Sequence, residues 1–147
     1  NIYQRRSDYL NAERNYSKAI DLEPNNSYAL YGLGNCQRGQ GNIETAIALW
    51  SRILEMEPYN QNILSRLGDA YMNSGDVETA RQHYQRSLDI GFDAFALIGL
   101  ARVFRSEHNF VEAEACCNRV LMEKPGFDRA IEELSLVLID RDHENNH

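Results

Sequence analysis

The sequence is poor in basic charge, in long apolar runs and in the signatures of catalysis. Fifteen Lys and Arg stand against 22 Asp and Glu, a formal net charge of −7 with a pI of about 5.1. Non-specific nucleic-acid binding needs a basic footprint, and an anionic membrane surface attracts basic segments, so neither partner is expected. No apolar run has the length of a membrane span. The first residues do not read as a signal peptide, although a chain that starts at Asn1 leaves any native leader open. The three cysteines, Cys36, Cys116 and Cys117, are odd in number and irregular in spacing, which excludes a regular disulfide framework. They read as small packing residues in a reducing, cytoplasmic setting.

Chemistry is equally sparse. There is no phosphate loop, and Gly32-Leu33-Gly34 fails the dinucleotide spacing and follows no strand. Helix packing is the better account of those glycines. The histidines are scattered, and His143 with His147 lacks a third ligand. The acidic pairs Glu112/Glu114 and Glu132/Glu133 read as solvated faces. Asn15-Tyr16-Ser17 fits a glycosylation acceptor only by chance, because Tyr16 belongs to an apolar stripe. No nucleophile, base and orienting group converge, so the chain is not expected to be an enzyme and no cofactor or metal is implied.

What the sequence does contain is a period. Pro24 and Pro58 lie 34 residues apart, as do Ala12 and Ala46, Leu33 and Leu67, Gly41 and Gly75, and Ala46 and Ala80. The next step is one shorter: Leu67 to Leu100, Tyr71 to Phe104 and Ala80 to Ala113 each span 33. A fixed interval of this size marks a stacked array. The fullest copy is Ser27 to Asn60. Leu30, Leu33 and Gly34 fall at helical spacing, Gly39-Gln40-Gly41-Asn42 breaks the helix, and Ile43, Ala46, Ile47, Trp50, Ile53 and Leu54 form a second stripe before Pro58 ends it. Each unit is thus a helix, a tight turn and an antiparallel helix.

Leu30, Leu33, Gly34, Ala46, Trp50 and Pro58 resemble the tetratricopeptide repeat pattern, and the period matches. Later copies supply Leu64, Leu67, Gly68, Tyr71, Gly75, Ala80 and Tyr84, then Leu97, Leu100, Ala101, Phe104, Ala113 and Pro125. A partial first copy supplies Tyr3, Ala12, Tyr16, Ala19 and Pro24. The resemblance runs from Ile2 to about Leu138. It implies an all-α, right-handed superhelical stack of antiparallel helix pairs that acts as a non-catalytic protein-interaction scaffold.

In order, residues 1–26 read as a partial repeat, with a turn at Ser7-Asp8 and a helix from Tyr9 to Glu23. Residues 27–60, 61–93 and 94–127 are three repeats, and 128–142 is a terminal helix followed by a frayed tail, 143–147. Gly91 is expected at a helix C-terminus beside a tightened junction, Asn109 in left-handed conformation, and Asp128 as an N-cap. Cys117 takes the place of Trp50 and Tyr84. Apolar residues spread around the terminal helix predict further repeats or self-association, with Leu136 and Ile139 as contacts, and both ends read as cut from a longer array.

In such a stack the first helix of each pair lines the concave side. That places Tyr28, Tyr31, Asn35 and Arg38, then Asn62, Ser65, Asp69, Met72 and Asn73, then Phe95, Ile98, Arg102 and Arg105 in the groove. Aromatic walls and cationic forks suit a peptide with apolar anchors and at least one acidic group. Chaperone-binding members hold a C-terminal carboxylate with lysines, arginines and asparagines. Here Asn35 matches the asparagine, but Tyr31 stands where a lysine would be, and Arg66 does not restore the clamp. Homo-oligomerisation through the end helices and service as a regulatory segment of a larger protein are the alternative readings.

Overall fold

The computed structural model describes residues 2–146, with side chains from residue 5 onward, so the side chain of Tyr3 and the whole of His147 lie outside the described residues. The described residues form eight helices and no strand: α1 (Ile2–Leu22), α2 (Ser27–Gly39), α3 (Ile43–Met56), α4 (Gln61–Ser74), α5 (Val77–Ile90), α6 (Ala94–Ser106), α7 (Phe110–Glu123) and α8 (Asp128–Asn145). Each packs on its neighbours in sequence, and α4 also meets α6, and α6 meets α8. This is an all-α solenoid of antiparallel helix pairs.

Short polar side chains start the helices. Asn26 Oδ1 accepts from Ala29 N at 3.0 Å, Asn60 Oδ1 from Ile63 N at 3.0 Å, and Asp93 Oδ1 from Phe95 N and Ala96 N. Each satisfies amide donors that have no partner within the helix. The turns inside pairs need one left-handed residue. Gly41 (φ 85°) and Gly75 (φ 90°) supply it without steric cost.

The third turn departs from expectation. His108 (φ 61°), not Asn109, is the left-handed residue. Asn109 instead caps α7, its side chain accepting from Glu112 N at 3.5 Å. Three other local expectations are corrected. Ser7-Asp8 is no turn, because α1 runs unbroken from Ile2, and nothing at Ser7 or Asp8 forces the chain left-handed. Asp128 lies in the first turn of α8, and Phe127 is the N-cap without a side-chain bond. The helix continues past Asp142 to Asn145, where Glu144 Oε2 lies 3.1 Å from His108 Nδ1.

The core is a chain of clusters between successive pairs. Leu30, Ala46, Trp50, Ile53, Ile63, Leu67 and Ala70 join α2, α3 and α4, and Ala80, Tyr84, Ala96, Leu100 and Val103 join α5 to α6. Trp50 and Tyr84 are fully buried. Truncating side chains of this size in a core costs about 3–5 kcal/mol. The shorter junction between α5 and α6 is closed by Gln61, whose Nε2 donates to Ser87 O and Gly91 O, both at 3.0 Å.

One column of residues sets how closely the first helices approach. Gly32, Arg66, Gly99 and Glu133 are equivalent, 34, 33 and 34 residues apart. A Cβ at Gly99 would lie 2.2 Å from Tyr84 Cζ, and one at Gly68 would lie 2.4 Å from Tyr84 Cε1. Two glycines thus let α4 and α6 close around a tyrosine. At the preceding junction Arg66 stands where a glycine could, stacked over Tyr31 (4.9 Å) and Trp50 (6.0 Å). Their bulk keeps α2 from packing on α4 as α4 packs on α6.

Candidate functional site

The inner face of the stack is lined by α2, α4, α6 and α8. Two adjoining concavities share Asp69, Phe95 and Arg129. One also takes in Arg38, Asn62, Ser65 and Arg66, and the other Ile98, Gly99, Arg102, Glu132, Glu133 and Leu136. Every residue comes from the first helix of a pair, with α8 acting as a fourth such helix.

Of the groove residues read from sequence, Arg38, Asn62, Ser65, Asp69, Phe95, Ile98 and Arg102 meet on this surface. Ser65 and Ile98 contribute little of themselves: both are buried, and the Ser65 hydroxyl donates to Gln61 O at 3.1 Å within its own helix. Phe95 is 45% exposed, edge-on to Phe127 (5.7 Å), with the Arg129 guanidinium 5.6 Å above its ring. The others line neither concavity. Tyr28 is exposed and leans edge-on against Tyr16 (6.1 Å). Tyr31 and Asn35 back Arg66, Asn35 Oδ1 accepting from Arg66 Nη1 at 3.4 Å. Met72 packs against the cluster around Tyr84, and Asn73 is exposed near the end of α4.

Arg105 is already paired. Its Nε donates to Glu133 Oε1 at 2.8 Å and its Nη1 to Asp140 Oδ2 at 3.2 Å, so it ties α6 to α8. Glu133 is 5% exposed and fits there because Cys117 is small where earlier pairs carry Trp50 or Tyr84. Leu136, expected as an end contact, is 43% exposed and lines one of the concavities. Ile139 remains 63% exposed on α8. Arg129 and Glu132 were not read as groove residues. The repeat arithmetic could have found them, since Tyr28, Asn62, Phe95 and Arg129 form one column and Tyr31, Ser65, Ile98 and Glu132 the next.

The charges are unevenly matched. Arg81, Arg105 and Arg141 hold carboxylates, whereas among the described residues none of Arg38, Arg66, Arg102 and Arg129 has a carboxylate within 4.0 Å. Arg66 Nε is buried without a hydrogen-bond partner. A groove with four such guanidiniums, on a chain of net charge −7, is a local cationic field. Its internal counter-charges are Glu132, the Arg105-paired Glu133 and Asp69, which accepts a hydrogen bond from the Tyr84 hydroxyl. Burial pushes the Asp69 carboxyl above its ordinary value, only partly offset by that bond and by Arg102, Arg129 and Arg66. The Tyr84 hydroxyl is raised by burial and by the facing Asp69.

Elsewhere the chemistry is quiet. Cys36 and Cys117 are buried, and burial raises the Cys116 thiol to about 11 and that of Cys117 to about 12. Among the described residues no cluster of His, Cys, Asp and Glu is arranged to hold a metal, and no helix is long and apolar enough to cross a membrane.

Two family models, each described as a tetratricopeptide repeat, match residues 15–48 and 37–95. No curated protein matches the sequence. Among solved structures, MamA protein superposes with a TM-score of 0.78 at 24% identity, covering 95% of this chain and 79% of that one. A tetratricopeptide repeat protein from Parabacteroides merdae gives 0.82 at 21% identity, covering 95% of this chain and 55% of that one. The first repeat domain of Spaghetti (RPAP3), bound to the HSP90 peptide SRMEEVD, gives 0.69 at 20% identity, over 76% of this chain and 89% of that one. At these identities the likeness is one of fold.

Proposed function

Because this chain belongs to the tetratricopeptide repeat family, whose fold is that of a protein-interaction scaffold, we propose that it is a non-catalytic adaptor that grips an acidic peptide segment in its concave groove. The observation that carries this reading is the set of four groove arginines without carboxylate partners beside the half-exposed ring of Phe95. Guanidinium forks match carboxylates two bonds at a time, and an adjacent aromatic face gives an apolar residue somewhere to bury. A neighbour in fold holds the peptide SRMEEVD, which is itself acidic. Tyr31 makes a chaperone C-terminus a poor candidate here, so the partner is sought among internal acidic segments.

The test is a peptide array scored for acidic and apolar content, followed by titration of the best binder against Arg102→Ala/Arg129→Ala. Loss of at least about tenfold in affinity is expected for two charge-assisted contacts. Unchanged affinity would reject the acidic component. A second reading, self-association through α8, is supported by the exposure of Ile131 and Ile139. Light scattering across a concentration series tests it: growth in size that Ile139→Asp abolishes is expected, and a constant monomer rejects it.

A further inference from the structure

From the position of Asp69 between both halves of the groove, we infer that it is a specificity-determining residue: a fixed internal competitor for the groove arginines that sets how strongly an anionic partner binds. The inference rests on the acidic-partner reading above and adds which residue tunes it.

The geometry singles out Asp69. It lines both concavities, whereas Glu132 and Glu133 line only one. Glu133 is spoken for by Arg105, and Glu132 is exposed at the rim. Asp69 is held in place from below, since the fully buried Tyr84 donates to its carboxylate and is itself wedged between Gly68 and Gly99. It therefore cannot swing out of the groove without giving up that hydrogen bond. The charged and titratable groups facing it are Arg66 on its own helix, Tyr84 on α5, Arg102 on α6, and Arg129, Glu132 and Glu133 on α8, with Arg38 on α2 across the cavity. No histidine lines either concavity.

An anionic ligand entering here meets attraction from the arginines and repulsion from Asp69 in both halves, with exposed Glu132 adding to it in one half and Glu133 largely neutralised by Arg105. Neutralising Asp69 removes the one carboxylate that faces the arginines in both halves. Asp69→Asn keeps a side-chain oxygen to accept from Tyr84 and removes only the charge. Protonation does the same reversibly. Burial raises the Asp69 carboxyl above its ordinary value, so it takes up its proton at a higher pH than an exposed aspartate does.

The probe is a tetramethylrhodamine-labelled nonapeptide carrying cysteic acid and leucine residues, whose sulfonates and dye keep their charge while the protein's carboxylates titrate. Its affinity is measured by anisotropy from neutral pH down to the lowest pH at which the protein stays folded, through the ordinary carboxylate range. Wild type is expected to bind more tightly as pH falls. Asp69→Asn at neutral pH should bind about three- to tenfold more tightly than wild type, the effect of one partly screened charge, and show a flatter profile. Glu44→Gln, on α3 and lining neither concavity, should keep the wild-type slope. Binding by both proteins with no gain in Asp69→Asn and no slope in wild type overturns this inference and leaves the adaptor reading standing. No binding by either protein overturns both. Should Asp69→Asn fail to fold, the wild-type slope alone decides: absence of a rise at lower pH rejects the inference.

Discussion

The hydroxyl of Tyr84 in α5 donates to the carboxylate of Asp69 in α4, joining the buried interior of the stack to the floor of its groove. Asp69 is otherwise opposed by burial, so its ionised form is disfavoured in the folded chain relative to the unfolded one. A raised carboxyl binds its proton more tightly when folded. Its contribution therefore falls as pH rises through the window between the unfolded value of 3.8 and the raised folded one. Asp69→Asn is expected to raise the melting temperature at neutral pH, with the gain fading as pH drops below that window. Melts of both proteins at several pH values check it; a constant difference contradicts the sign.

Gly99 should tolerate no methyl group. Gly99→Ala would place a Cβ 2.2 Å from the Tyr84 ring, which is fully buried and has nowhere to retreat. Overpacking of this kind costs about 1–3 kcal/mol, to be read from urea denaturation. A smaller partner in Tyr84→Leu should make the added methyl nearly neutral in a double-mutant cycle.

His108 holds a conformation that glycine holds in the two preceding turns. A non-glycine residue there costs about 1–2 kcal/mol, against which its exposed contact with Glu144 is worth little. His108→Gly is expected to stabilise the chain by about 0.5–1 kcal/mol, measured by thermal or urea unfolding.

Arg105 and Arg102 should separate stability from binding. Arg105→Ala leaves Glu133, 6% exposed in its side chain, without its cation. A destabilisation of about 2–4 kcal/mol is expected by calorimetry, with α8 loosened first. Arg102→Ala breaks no ion pair and removes one of three cations that offset the burial of Asp69, so it should lower the melting temperature far less than Arg105→Ala while weakening acidic-peptide binding.

The cysteines should be silent in the native protein. With the Cys116 thiol at about 11 and that of Cys117 at about 12, almost no thiolate exists at neutral pH. Iodoacetamide should modify Cys116 and Cys117 slowly in native buffer and rapidly after denaturation, as read by mass spectrometry.

The repeat interval made the fold legible. Trp50, Tyr84, Ala46, Ala80 and Ala113 recur where a helix pair must bury something, and all are fully buried. Residues with two roles were harder. Arg105 has the spacing of a groove residue, but its partner Glu133 lies 28 residues on, and only the small Cys117 makes room for that pair. Arg129 and Leu136 belong to the groove because α8 takes the register of a first helix, although the apolar spread of α8 reads as an end surface. Asp69 could be placed on the inner face from sequence. Its bond from Tyr84 could not, because it depends on how closely Gly68 and Gly99 let three helices approach.

The most direct test of the groove is chemical-shift mapping of the ¹⁵N-labelled chain titrated with an acidic, apolar-anchored peptide. The account predicts perturbations concentrated in α2, α4, α6 and α8, centred on Asp69, Phe95, Arg102 and Arg129. Perturbations confined to α3, α5 and α7, or to the ends of the stack, would contradict it.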